Sequence, residues 1–245
     1  MNPLPVPLYM ILTIVFITSG SIIVSFLALR AYLKERRPSI LFVGSGSLVF
    51  GLTSMVAGFA AVTAGLNGSN PATTIFVVGA CLSSASHLMG VGLRPIGTKR
   101  RPGGAPVVIL TLAAVLGLTL IVIVAAFEGW FPTFLIPGEG ITPVAMGLLA
   151  VAITALGLAS FLIVVSSSMS VVLYWYTYAL ATTAVGLLGT LLSNWIFEAP
   201  DFLVGRTTLC LAGAFMVMSV KSAEKNAIVD SDAVLEELFK PLSAV

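Results

Sequence analysis

Seven long apolar stretches constrain this chain more than any other feature of its sequence. At a rise of ~1.5 Å per residue, each is long enough to cross a hydrocarbon layer of ~30 Å as a helix. Lipid offers no partners to unpaired backbone groups, so such a stretch must close its hydrogen bonds internally. The pattern predicts an all-α membrane protein, a bundle of seven transmembrane helices. The stretches are Pro5–Leu33, Ser39–Leu66, Ala72–Leu93, Pro106–Phe127, Pro143–Ser166, Ser170–Ser193 and Phe202–Val220.

The composition excludes a soluble fold. Hydrophobic residues make up 58% of the chain and charged residues 9%, whereas soluble domains carry about 25% charged residues. We therefore expect a multi-pass protein of the cell membrane with the lipid bilayer as its main partner. Seven spans with short links occupy residues 1–222 and leave residues 223–245 as a short tail. The net charge of +2 gives no reason to expect a nucleic-acid partner.

The positive residues lie in alternate links, which predicts an orientation. Because excess Lys and Arg in short loops marks the cytoplasmic face, we expect the N-terminus outside and the C-terminus in the cytoplasm. The N-terminus has no positive region of the kind that begins a signal peptide, so we expect the first span to be retained. The predicted inner side carries Arg30, Lys34, Arg36 and Arg37, then Arg94, Lys99, Arg100 and Arg101, and finally Lys221 and Lys225, whereas the outer side carries Glu128, Glu139, Glu198, Asp201 and the single cation Arg206.

Small residues predict which spans lie in the interior of the bundle. Spans two, three and six carry Gly, Ala, Ser and Thr at three- and four-residue steps, for example at Gly44, Gly51 and Gly58. Such faces allow close helix contacts in lipid. Span four is almost pure Leu, Val, Ile and Ala from Val107 to Ala126 and is expected to face lipid. The outer link Gly129–Gly147 is rich in Pro and Gly, which favours turns and a compact cap.

His87 is the single histidine of the chain and lies inside the third span. An ionisable residue at this depth is a functional hypothesis by default, as a proton relay, a pH sensor or a ligand contact. The alternative is a neutral imidazole that holds two helices together. Ser83 and Ser84 on the same span, and Tyr174 and Tyr178 on span six, are candidate hydrogen-bond partners at similar depth.

A second candidate lies at the outer side, where Arg206 and Glu139 are predicted to form a ligand-binding vestibule. The alternative is an interfacial arginine paired with Asp201. The predicted membrane interior has no carboxylate, and no Ser/His/Asp set, P-loop or Cys/His zinc motif occurs in the sequence. We expect no enzyme activity, no catalytic residues, no metal and no cofactor.

Three stretches carry a resemblance to a known family: Ala28–Leu52, Ser83–Leu93 and Phe131–Pro143. Together with seven spans, they resemble the membrane-associated sensor domains of archaeal and bacterial histidine kinases, best over spans one to five. The resemblance implies a prokaryotic protein with a sensor function. Those proteins carry cytoplasmic signalling domains after the last span, whereas about 25 residues follow it here. We expect a sensor-like module that stands alone or signals through a separate partner.

The expected function is a non-enzymatic sensor or receptor that relays a ligand or membrane signal across the bilayer. Asp232–Phe239 forms a possible amphipathic helix, which would dock on a cytoplasmic or membrane partner, or else belongs to a loose end. A homo-oligomer is also compatible with the sequence. Two rivals stay open: a structural subunit of a redox complex that binds quinone or haem, with His87 and Met89 as haem ligands, and a small-solute transporter or channel.

Overall fold

Helices account for nearly all of the protein that the computed structural model describes, namely residues 6–36, 38–63, 70–93, 104–136, 138–166, 171–196, 205 and 207–222. The first six helices are each long and apolar enough to cross a membrane, which confirms an all-helical membrane bundle. Their bounds lie within a few residues of the predicted spans. The elements are α1 Val6–Glu35, α2 Pro38–Thr63, α3 Asn70–Gly92, α4 Ala105–Phe127, β1 Leu135–Ile136, β2 Gly140–Ile141, α5 Pro143–Ser166, α6 Val171–Ile196 and α7 Thr207–Ser222.

Helix α7 differs from the others in length. Its described part, Thr207–Ser222, is a short apolar helix of ~24 Å at the usual rise per residue. The predicted start of this span at Phe202, the residue Arg206 and the tail with Asp232–Phe239 lie outside the described residues.

Helix α2 packs against α1 through glycines spaced by seven residues. An added Cβ at Gly44 would lie 3.0 Å from the Cβ of Ala28, and the corresponding neighbours of Gly51 and Gly58 are the side chains of Ser21 and Ile14. Both helices therefore contribute one contact every two turns, in antiparallel order. Because lipid is as apolar as the side chains, close approach of this kind replaces the hydrophobic effect as the cause of association.

A second face of α2 packs in the same way against α3. Gly46 lies against the α3 turn that carries Ser83, while Thr53 fills the space left by Gly79. Nearer the start of α2, the Ser39 carbonyl lies 3.2 Å from the Cβ position of Gly90. With neighbours on two sides, α2 is the most buried of the six long helices.

Six helices form a closed ring in the order α1, α2, α3, α5, α6, α7. Helix α5 contacts both α3 and α6 through a fully buried row formed by Ala145, Leu149, Ala152, Leu156, Ala159 and Ile163. Helix α7 packs on α6 at Gly189 and Gly205, where an added Cβ would lie 3.2 Å from the neighbouring Cα. It closes the ring on α1, where the Cβ position of Gly20 is 4.0 Å from the Cα of Gly213.

Helix α4 lies outside the ring, against α2 and α3. Its apolar side chains project outward, and Leu110 is 71% exposed, which agrees with the expected lipid-facing span. The expectation for α6 is met less well. Although α6 belongs to the ring, the described part of its span is no more buried than α5 and less buried than α1.

The link between α4 and α5 folds as a compact cap over α3. Strands β1 and β2 pair as a short antiparallel hairpin, and Phe134 before it is fully buried. The side-chain oxygen of Asn70, the first residue of α3, accepts hydrogen bonds from the backbone N–H groups of Phe134 and Leu135 at 2.7 and 3.1 Å. The Thr142 hydroxyl closes the cap by donating to the Thr133 carbonyl.

We predict that Gly51→Ala destabilises the bundle by about 1–3 kcal/mol, because the new methyl group overlaps the Ser21 side chain. Thermal or denaturant unfolding in lipid nanodiscs measures the change. Gly157→Ala on α5 is the matched control, since nothing lies within 4 Å of its Cβ position. Adding Ser21→Gly should restore stability to Gly51→Ala; equal effects of the two alanine variants would contradict the packing described.

We predict that Asn70→Ala loosens the cap, because two backbone donors lose their acceptor, at a cost of about 1–3 kcal/mol. Hydrogen exchange at the Phe134 and Leu135 amides should become faster. Asn70→Asp keeps an acceptor oxygen at the start of α3 and should preserve the protection of these amides. Unchanged exchange in Asn70→Ala would show that the cap is held by its apolar contacts alone.

Candidate functional site

A hydrogen bond between His87 and Tyr176 connects α3 to α6 inside the ring. The Nδ1 atom of His87 lies 3.0 Å from the Tyr176 hydroxyl oxygen, and the two side chains are only 4% and 7% exposed. The phenol donates to Nδ1 in one imidazole tautomer, and Nδ1–H donates to the phenol oxygen in the other. Each partner therefore satisfies a polar group that burial would otherwise leave unpaired.

The absence of a side chain at Gly46 makes room for the imidazole. An added Cβ at Gly46 would lie 3.2 Å from the His87 Nε2 atom and 3.1 Å from the Ser86 Cβ. The ring thus packs over bare α2 backbone. Among the described residues, Nε2 has no hydrogen-bond partner.

The His87 side chain also borders a cavity of about 40 Å³ at the centre of the bundle. Five of the six ring helices line it, and α5 does not. The contributing residues lie near the middle of each helix, so the cavity lies near the middle of the bundle along its axis. The lining residues are Ile17, Gly20, Ser21, Val24, Ser47, Phe50, Ser83, His87, Thr183, Leu209, Ala212, Gly213 and Met216.

Polar and apolar groups share the cavity wall. The hydroxyls of Ser47 and Thr183 donate to carbonyls one turn earlier on their own helices, at 3.0 and 2.7 Å. Their oxygens keep a lone pair for a further bond. Ser21 and Ser83 have no hydrogen-bond partner among the described residues. None of the lining residues is charged.

The structure brings together two of the predicted site residues, His87 and Ser83. Ser84 is equally buried, but its hydroxyl donates to the Ala80 carbonyl at 2.7 Å, and it does not line the cavity. Arg206 lies outside the described residues. Glu139 is exposed in the turn between β1 and β2, in the cap at the far end of α3.

Tyr174 and Tyr178 lie on the outer surface of the bundle, 44% and 47% exposed. Their rings belong to an aromatic cluster with Trp175 and Phe215. Tyr176 is the residue of this segment that reaches His87. At 100° per residue, its side chain leaves α6 on the opposite side from those of Tyr174 and Tyr178.

Sequence reasoning missed the contributions of α1 and the identity of the α6 partner. A signal for Tyr176 does exist, because Tyr176, Ala179, Leu180, Thr183 and Leu187 recur at three- and four-residue steps and form the buried stripe of α6. For Ser21 the local sequence offers no comparable signal, since α1 exposes apolar residues on both sides of it.

No protein-family model, curated protein or solved structure matches this chain. The resemblance to histidine-kinase sensor domains therefore stays a prediction from three sequence stretches. A function has to be inferred from the geometry of the cavity and of the His87–Tyr176 pair.

We predict that Tyr176→Phe destabilises the protein by about 0.6–1.7 kcal/mol, the range measured for hydrogen bonds between membrane helices. The substitution removes the hydroxyl bonded to His87 and leaves Nδ1 without that partner. Tyr178→Phe applies the same chemical change to an exposed side chain of the same helix and should have a smaller effect. Unfolding of both variants in the same nanodiscs makes the comparison, and equal losses would refute a structural role for the pair.

Proposed function

We propose that the protein is a non-enzymatic sensor of the cell membrane, with seven spans, the N-terminus outside and the C-terminus in the cytoplasm. The observation that carries the proposal is a buried His87–Tyr176 pair beside a small polar cavity, at the point where five helices meet. The basic residues between α1 and α2 support the orientation. The helical character of Thr207–Ser222 supports a seventh span.

The packing around the cavity suits a protein that responds by shifting helices. Contacts between α1 and α2, α6 and α7, and α7 and α1 are made at glycines, so small displacements there require few side-chain rearrangements. A stimulus shifts such a bundle only if it binds or stabilises one arrangement better than the other. The cavity touches both α1 and α7, and a change there moves helices whose ends lie on the proposed cytoplasmic side.

His87 gives the site a chemical means of responding. It is the single histidine of the chain, and imidazole is the side chain whose ordinary charge change falls in the physiological pH range. A charge at His87 would have no described carboxylate in the cavity wall to balance it. Protonation, or a ligand that takes up Nε2, would therefore alter the free-energy balance between helix arrangements.

A second function, passage of a small uncharged solute, is favoured by the position of the cavity. Transporter sites commonly lie near the bilayer midplane, between helices, as this cavity does. The two functions differ in what leaves the site. A sensor changes its helix arrangement, whereas a transporter releases the solute on the other side of the membrane.

Distance measurements between spin labels test the sensor function. Lys34→Cys on α1 and Lys221→Cys on α7, both exposed, carry the labels in a Cys81→Ser, Cys210→Ser background in nanodiscs. We predict that a panel of conditions, beginning with a step from about pH 8 to pH 5, shifts the distance distribution in at least one case. His87→Gln keeps a hydrogen-bonding side chain without the titration and should abolish the shift.

Tyr178→Phe serves as the control and should respond like the starting protein, since its ring faces outward. The sensor function is contradicted if no condition changes the distances, or if His87→Gln responds fully. Vesicle swelling by small neutral solutes, absent with empty vesicles, would instead favour transport.

A further inference from the structure

The central cavity has unused hydrogen-bonding groups at a depth where water is scarce. Ser83 and His87 are 5% and 4% exposed, yet the Ser83 hydroxyl and the His87 Nε2 atom have no partner in the part of the chain that the structure describes. Ser21 adds a third such group to the wall. Buried polar groups of folded proteins are nearly always paired, with protein atoms or with a bound molecule.

The size of the cavity limits what can bind there. A site needs about 10–15 Å³ of this kind of volume for each water molecule, so about 40 Å³ accommodates about three water-sized groups. Larger cofactors such as haem or a quinone ring are excluded by size. The remaining wall is formed by apolar side chains such as Phe50, Leu209 and Met216, which favour a compact occupant.

The chemistry of the wall limits the charge of the occupant. No lining residue is charged, so an ion would lose its hydration without a counter-ion. The hydroxyls both donate and accept, while the oxygens of Ser47 and Thr183 accept, because their protons are committed to helix carbonyls. The complementary molecule is uncharged and carries both a donor and an acceptor.

We infer that the cavity is a binding site for a small uncharged hydrogen-bonding molecule of up to about three non-hydrogen atoms, held by Ser21, Ser83 and His87. Bound water and a small amide or alcohol share this chemistry. The role of this molecule as a stimulus rests on the proposed function, whereas its binding depends on the cavity alone.

Exchange of a thiol proton with D2O tests the site with the smallest available probe. Ser83→Cys and Ser84→Cys, each in a Cys81→Ser, Cys210→Ser background, place a thiol on adjacent residues of α3. Both serines are buried, but only Ser83 lines the cavity. We predict that the infrared S–H band of Ser83→Cys converts to S–D at least about tenfold faster than that of Ser84→Cys, whose exchange awaits local opening.

A second arm distinguishes the two sources. Deuterated formamide, added at constant D2O activity, should shift the S–D band of Ser83→Cys but not of Ser84→Cys if a solute binds, and should shift neither if water is the occupant. Ser47→Cys against Ser54→Cys on α2 repeats the comparison should the first pair fail to fold, because both are buried and only Ser47 lines the cavity.

Equal, slow exchange in both members of each pair would overturn the inference, since the cavity would then be closed and dry. The outcome is separable from the spin-label experiment. A hydrated cavity in a protein whose helix distances never change would refute the sensor function and leave the binding site standing, and the reverse result would refute the site alone.

Discussion

Close approach of α2 to its two neighbours is the interaction on which the rest of the bundle depends. Lipid surrounds every apolar side chain in either case, so burial of apolar surface gives little drive for helices to associate. Three glycines at seven-residue steps bring α2 against α1, and a second set of small residues brings it against α3. The resulting three-helix unit is the part of the ring to which α4, α5 and α7 attach.

This packing also determines where the site forms. Gly46 leaves the space that the His87 ring fills, and Ser47, the next residue, turns to the cavity. The hydrogen bond to Tyr176 then crosses to α6, although α5 occupies the groove between α3 and α6 on the outer side. A buried polar pair and a buried polar cavity are therefore consequences of one arrangement, and neither arises without the other helices of the ring.

The sequence predicted the features that segment length and local period determine, and it failed where the outcome depends on which helices become neighbours. Six spans, the lipid-facing α4 and the depth of His87 are encoded by apolar runs and the spacing of small residues. The choice between Tyr176 and its neighbours Tyr174 and Tyr178 depends on the rotation of α6, which is set by contacts with α5 and α7. Ser21 belongs to the site because α1 and α7 meet at glycines, and no local pattern encodes that meeting.

The hairpin that rests on Asn70 has a mechanical consequence. Asn70 begins the same continuous helix that carries Ser83 and His87, ~25 Å further along at the standard rise. A rod of this kind transmits tilt and axial rotation from one end to the other with little loss. Whatever pushes on the hairpin from the aqueous phase therefore acts as a lever on the imidazole at the core, without having to enter the membrane.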